Sequence, residues 1–250
     1  PPMNVEVYLT GTHVEDDDVR ERTTIVIDVL RTSTTIASAL ANGARYVVPA
    51  SDLDDAGTIA SNLDPATYCL GGERSGVKIE GYRFGNSPLE YDRDSVGGKT
   101  LILTTTNGTP AIRRARHATH LIVGGFVNVS LVTRFVRQKE LDVAIVCAGW
   151  RNRVSLEDTL CAGMILHDLW DGIEPPESTD TCHIAFTMYG HERHDIPSAL
   201  RRSRHGKRLI SMGLAADVDH CASVDSVSIL PLYGDRRLVP YRFVADKAFA

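Results

Sequence analysis

Apolar and polar positions fall in blocks along this chain. Short runs rich in β-branched and apolar residues occupy positions 5–9, 24–29, 46–49, 67–70, 100–103, 119–123 and 143–147. Each is bounded by glycine, asparagine or threonine, and stretches with helical spacing follow at 34–42, 54–62, 110–115, 129–139 and 156–169. Strands alternating with helices predict βαβ units on a mostly parallel sheet. The runs Ile25-Val26-Ile27, Leu101-Ile102-Leu103 and Ala144-Ile145-Val146 are continuously apolar, as expected of strands covered on both faces. The expected fold class is α/β: a mostly parallel sheet with helices on both faces, in three layers, with a smaller C-terminal α/β part.

The polar stretch 171–180, with Pro175-Pro176, is the expected boundary between a core over 3–170 and a C-terminal part over 171–250 that packs on it or continues it. That part should hold a basic helix near 197–213, a helical stretch from Leu214, and a hairpin pairing 226–233 with 237–243 across Gly234-Asp235. Its first third, around His183, His191 and His194, reads as the least regular segment of the chain.

Composition narrows the function. A chain of 250 residues that is 43% hydrophobic can bury a real core. Its net charge of -5 argues against nucleic acid as main partner. A small anionic substrate stays open, because basic charge is carried mostly by arginine, which grips anions bidentately. No apolar run is long enough to span a membrane. The start Pro1-Pro2-Met3-Asn4 lacks signal-peptide features, with Met3 the expected native start. Five cysteines without C-x-x-C spacing argue against a disulfide framework or structural zinc; the expected location is cytoplasmic.

Candidate chemistry collects after the strands. Asp28 precedes Arg31 and the hydroxyl run Thr32-Ser33-Thr34-Thr35, and Gly71-Gly72-Glu73-Arg74-Ser75-Gly76 reads as a glycine-rich loop. Thr104-Thr105-Thr106-Asn107-Gly108-Thr109 follows the fifth run, and Gly124-Gly125 with Asn128 follows the sixth. In an open parallel sheet these carboxyl ends share one edge, where ligands bind. The hydroxyls also cap the next helix, a role compatible with anion binding at its N-terminus. Asn107-Gly108 alone is a common turn. Ser155-Leu156-Glu157-Asp158 has capping-box spacing, so Ser155 reads as a cap and Glu157 or Asp158 as either a cap or a metal ligand.

Cys147 and Arg153 have the spacing of cysteine-dependent phosphatases, but the intervening residues lack a glycine-rich phosphate loop. Cys147 reads better as a small buried residue. No H-x-x-x-H pair and no G-x-S-x-G elbow occur.

At these loops the sequence resembles the 2-phosphosulfolactate phosphatases of coenzyme M biosynthesis. The resemblance lies in Ile27-Asp28-Val29-Leu30-Arg31-Thr32-Ser33-Thr34-Thr35, Gly71-Gly72-Glu73-Arg74, Glu80-Gly81 and Gly85-Asn86-Ser87-Pro88. It continues in Thr104-Thr105-Thr106-Asn107-Gly108-Thr109 and Ser155-Leu156-Glu157-Asp158-Thr159-Leu160-Cys161-Ala162-Gly163, and more weakly over 206–221. Thr32 stands where that family usually has alanine, and Ser75 where it often has glycine.

The resemblance implies a magnesium-dependent phosphoric monoester hydrolase acting on a substrate with phosphate, sulfonate and carboxylate groups. Asp28, Arg31, Glu73 and Arg74 are the expected catalytic residues. Asp28 and Glu73, with Asp158, would hold Mg²⁺. Thr34, Thr35, Asn86, Thr105, Asn107, Gly108, Arg153 and Ser155 would bind substrate. A small anionic substrate is expected, with no nucleic acid and no membrane partner, and a homodimer is left open. Two rival chemistries fit the sequence less well. Haloacid-dehalogenase-type phosphatases need D-x-D, and Leu30 occupies the second aspartate's place. A non-catalytic anion- or nucleotide-binding protein would gain nothing from the Asp28 and Glu73 carboxylates unless a cation bridges them.

Overall fold

The protein is described here by a computed structural model covering residues 3–243, so Pro1-Pro2 and positions 244–250 of the C-terminal part lie outside the described residues. In chain order the strands are β1 (Val5–Tyr8), β2 (Thr23–Ile27), β3 (Tyr46–Pro49), β4 (Tyr68–Arg74), β5 (Val77–Lys78), β6 (Thr100–Thr104), β7 (His120–Gly124), β8 (Val143–Cys147), β9 (Leu230–Gly234) and β10 (Arg237–Tyr241). They form one sheet in the order β1-β8-β2-β7-β9-β10-β3-β6-β4-β5. The apolar runs and the C-terminal hairpin are thus the strands expected, within a residue or two at most ends.

Pairing is parallel for β1–β8, β8–β2 and β2–β7, and again for β3–β6 and β6–β4. The hairpin β9–β10 sits between these two blocks and pairs antiparallel with both β7 and β3. Three successive antiparallel pairings make the blocks run in opposite directions. The expectation of a single edge holding all carboxyl ends is therefore corrected: the C-terminal hairpin reverses the sheet at its middle.

The loops nevertheless meet. β2 and β6 stand five places apart, which would separate them by about 24 Å in a flat sheet. Yet Thr32, just beyond β2, donates its hydroxyl to Thr105 Oγ1, just beyond β6, at 3.2 Å. The sheet curls around the helices Thr32–Ala41 and Gly108–Arg114, each of which touches strands of both blocks. Their apolar residues (Ile36, Ala39, Leu40, Ala111, Ile112) pack with Val26, Val47, Leu101, Leu103, Leu121 and Val123. On the opposite face Val129–Lys139 and Leu156–Leu169 cover the first block, and Leu53–Ser61 covers β6.

Two local expectations change. Gly71-Gly72-Glu73-Arg74 is not a loop but the second half of β4, with Glu73 opposite Lys78 and Arg74 opposite Val77. The glycines serve close approach instead of a turn. At Gly72, where φ is +151°, an added Cβ would lie 2.1 Å from the Thr104 carbonyl oxygen. The segment around His183 is also not irregular, since Asp180–Glu192 is a helix capped by Thr179. Its buried side chains, Cys182, Ala185 and Tyr189, are small or amphipathic, which kept its helical stripe faint. Among the described residues no helix is long and apolar enough to cross a membrane.

Candidate active site

The loop after β2 is fixed by its own polar groups. Ser33 N–H donates to the Asp28 carbonyl at 2.9 Å, and Asp28 N–H returns a bond to Ser33 Oγ at 2.8 Å. The Leu30–Arg31 peptide is cis. This loop forms one wall of a cleft lined also by the end of β4 and its turn into β5, Asn86, the loop after β6, the turn after β8 and the helix Arg204–Ser211.

Two carboxylates form the acidic wall. Asp28 is 6% exposed, and burial pushes its carboxyl up to about 6, aided by the negative Glu73 and Glu157 and opposed by Thr32 and His205. Glu73, equally buried, accepts from Thr106 N–H at 2.7 Å, Gly76 N–H at 2.6 Å and Thr106 Oγ1 at 3.1 Å. It thereby ties the β4–β5 hairpin to the loop after β6. Asn86 is buried beside them, and its Oδ1 has no hydrogen-bond partner. Gly108 lets the walls close, because a Cβ there would lie 2.5 Å from both Asp28 Oδ2 and the Thr32 side chain.

The basic wall comes from three elements. Arg31 is buried and bonds Asp217 Oδ2 at 2.7 Å and the Gly76 carbonyl at 3.4 Å. Asp217 also accepts from Ser87 Oγ at 2.7 Å. Arg208 donates to the Ser75 carbonyl at 2.9 Å. His205 lies 3.4 Å from Glu157 Oε1 and stacks on Trp150 at 5.3 Å, and Arg151 lies 4.8 Å over the same indole. The cleft thus brings two carboxylates together with guanidinium and imidazole groups, a set of donors able to bind an anion.

A family profile described as 2-phosphosulpholactate phosphatase matches residues 8–236. The chain belongs to this family. It is 37% identical over 229 residues to a probable 2-phosphosulfolactate phosphatase of Caldanaerobacter subterraneus subsp. tengcongensis, covering 92% of this chain and 95% of the relative. Identity to the protein of the same name from Symbiobacterium thermophilum is 39% over 223 residues, covering 89% of this chain and 96% of the relative. For that from Gloeobacter violaceus it is 40% over 208 residues, covering 83% and 86%.

Of the residues expected in a phosphatase site of this family, Asp28, Arg31, Glu73, Asn86 and Asn107 line the cleft. The others stand behind or beside it. Arg74 alternates to the other side of β4 from Glu73 and bonds Thr104 Oγ1 at 3.0 Å. Thr34 and Thr35 turn to the carbonyls of Val29 and Asn86. Thr105 exchanges bonds with Thr109 and braces Thr32. Ser155 caps its helix, as expected.

Asp158 accepts from the N–H groups of Val29 at 2.9 Å and Gly149 at 3.0 Å. It pins the loops after β2 and β8 together, and burial beside Asp28 and Glu157 pushes its carboxyl well up. Arg153 is exposed and pairs through its backbone with Trp150; Arg151 takes the place in the cleft. Cys147 sits in the core with its thiol pushed well up by burial, the reverse of what a thiolate nucleophile needs.

The sequence did not mark Trp150, Thr106, His205, Arg208 or Asp217 as site residues, and of the two arginines after β8 it pointed to Arg153 rather than Arg151. The signal for two of them was available, because His205 and Arg208 share one face of the basic helix at a spacing of three.

Proposed function

We propose that this protein hydrolyses 2-phosphosulfolactate, or a closely related small anionic phosphomonoester, to the alcohol and inorganic phosphate. The observation that carries the reading is the meeting of Asp28 and Glu73 with Arg31 and His205 in one cleft, in a chain of this family.

The residues fit a hard divalent cation. Among the described residues no three or more His, Cys, Asp or Glu side chains gather as a complete ion cage. Mg²⁺ does not require one, since it takes one or two carboxylates together with water and substrate phosphate. Asp28 and Glu73 would supply the carboxylates, and the unpartnered Asn86 Oδ1 a neutral oxygen. Asp158, which does not line the cleft and joins the loops after β2 and β8, would act as their support. When bound, Mg²⁺ polarises the phosphoryl group and acidifies a water.

The protein's own groups do the rest. Arg31, aimed by Asp217, would bind the phosphoryl oxygens and neutralise charge developing there. Leu30 and the Trp150 ring would narrow the cleft and limit water. His205, held by Glu157 and by stacking on Trp150, presents its ring to the cleft, where Nε2 could protonate the departing alkoxide.

The test is release of inorganic phosphate from 2-phosphosulfolactate and simpler phosphomonoesters, before and after EDTA and after restoring Mg²⁺. Activity that chelation abolishes and Mg²⁺ restores is expected. Activity indifferent to EDTA would remove the metal from the account, and tight anion binding without turnover would leave a binding protein.

A further inference from the structure

The cleft's basic groups differ in depth and in what holds them. Arg31 is buried, and its guanidinium is engaged by Asp217 and the Gly76 carbonyl. Arg208 is partly exposed, on a helix across the cleft, and anchors only one arm, to the Ser75 carbonyl. Arg151 is exposed and projects from the tight turn that follows β8. That turn is closed by reciprocal backbone bonds between Trp150 and Arg153 at 2.9 and 3.1 Å.

The turn itself does not ask for arginine. Arg151 has φ +53° and Asn152 φ +58°, the paired left-handed geometry in which asparagine and glycine are preferred. A long cationic side chain stands at the first of these positions against local backbone preference, at the mouth of the cleft. Its guanidinium rests over the Trp150 ring, which is itself stacked on His205. Stacking narrows its range of orientations, so less order is lost when it binds an anion.

Resting on the reading above, we propose that Arg151 and Arg208 form a second anion subsite at the mouth of the cleft, which holds the sulfonate of the substrate while Arg31 serves the phosphate. The chemistry fits the division. A sulfonate carries its charge at every physiological pH and accepts hydrogen bonds through three oxygens, which the exposed Arg151 and partly exposed Arg208 guanidinium groups, both lining the cleft, can meet. The metal-binding carboxylates would repel it from the floor. Substrates that lack a second strong acid group would then enter the cleft but be held at one end only.

The experiment compares wild type, Arg151→Gly, Arg151→Ala and Arg208→Ala on 2-phosphosulfolactate and on 2-phospholactate, which lacks only the sulfonate, all with saturating Mg²⁺. Glycine suits the φ of position 151, so Arg151→Gly removes the side chain without straining the fold; its thermal unfolding midpoint should match or exceed wild type. Removing either arginine should raise KM for 2-phosphosulfolactate at least tenfold with kcat changed less than about threefold, and should change kcat/KM for 2-phospholactate far less. The preference for the sulfonated substrate would shrink accordingly. Inhibition by sulfolactate, the product without phosphate, should weaken in parallel in both variants. Equal losses on both substrates, or none, would overturn the subsite while leaving the phosphatase reading intact. Failure of wild type to hydrolyse either compound would overturn that reading, and this inference with it.

Discussion

Arg31 and Asp217 form an ion pair at 2.7 Å across 186 residues of chain, and both side chains are 4% exposed. The pair joins the loop after β2 to the helix Ala215–Cys221, and Ser87 adds a third partner from the segment before the 3-10 turn Pro88–Glu90. Buried pairs of this kind are poor net stabilisers, because both charges lose water, but breaking one strands the other charge. Asp217→Asn should therefore destabilise the protein by about 3 kcal/mol, as read from equilibrium denaturation. It should also lower kcat/KM more than tenfold, because Arg31 loses its aim. An unchanged kcat/KM in a folded variant would show that Asp217 does not position Arg31.

Gly108 makes a steric prediction. Alanine there would place a methyl group 2.5 Å from Asp28 Oδ2 and from the Thr32 side chain. Gly108→Ala should cost about 1–3 kcal/mol of stability and a larger share of activity, on the order of a hundredfold, since the carboxylate that must move belongs to the site. Steady-state kinetics beside thermal unfolding separates the two effects.

Much of this was legible in the sequence. Continuous apolar runs marked the strands, because burial on both faces demands them. Asp28, Arg31, Glu73 and Asn107 were legible as polar residues clustered beyond the expected strand ends, and Asn86 through the family resemblance. What could not be read was set by long-range geometry. Nothing local says that β9 and β10 enter the middle of the sheet, which reverses one block and forces the curl that brings Thr32 to Thr105. Arg74 was misread because Glu73-Arg74 is strand, and alternation gives the two side chains opposite faces. Arg153 was preferred to Arg151 because the Trp150–Arg153 bridge, which turns residue 151 toward the cleft, has no sequence mark. Thr34, Thr35 and Asp158 are near the site but satisfy backbone groups, a choice that composition does not reveal.

The raised Asp28 carboxyl gives a pH dependence. Its folded-state pKa, about 6, lies above the ordinary value of 3.8, so the metal-free folded state holds this proton longer than the unfolded chain does. Below about pH 4 both states are protonated and there is no effect. As pH rises through about 4 to 6 the unfolded state ionises first, and stability falls by about 3 kcal/mol in all. Urea unfolding in EDTA should therefore show wild type losing stability relative to Asp28→Asn across this window. Parallel curves would contradict it.

Cys147 tests the rival chemistry. Its thiol is buried in the core and pushed well above the ordinary range, so native protein should resist iodoacetamide at this position. Cys147→Ala should lose about 1–2 kcal/mol of stability from lost packing and keep activity within about threefold. A loss of several hundredfold in a folded variant would restore the cysteine nucleophile.

Asp28 is the residue on which a metal-assisted phosphatase site depends most in the proposed reaction. The most direct measurement is Mg²⁺-dependent release of phosphate from 2-phosphosulfolactate by wild type and by Asp28→Asn, whose amide keeps the shape but not the charge. The account predicts that wild type turns over, that EDTA stops it, and that the variant loses at least a thousandfold in kcat with its fold intact. Turnover by Asp28→Asn at near the wild-type rate, with the same Mg²⁺ dependence, would contradict it.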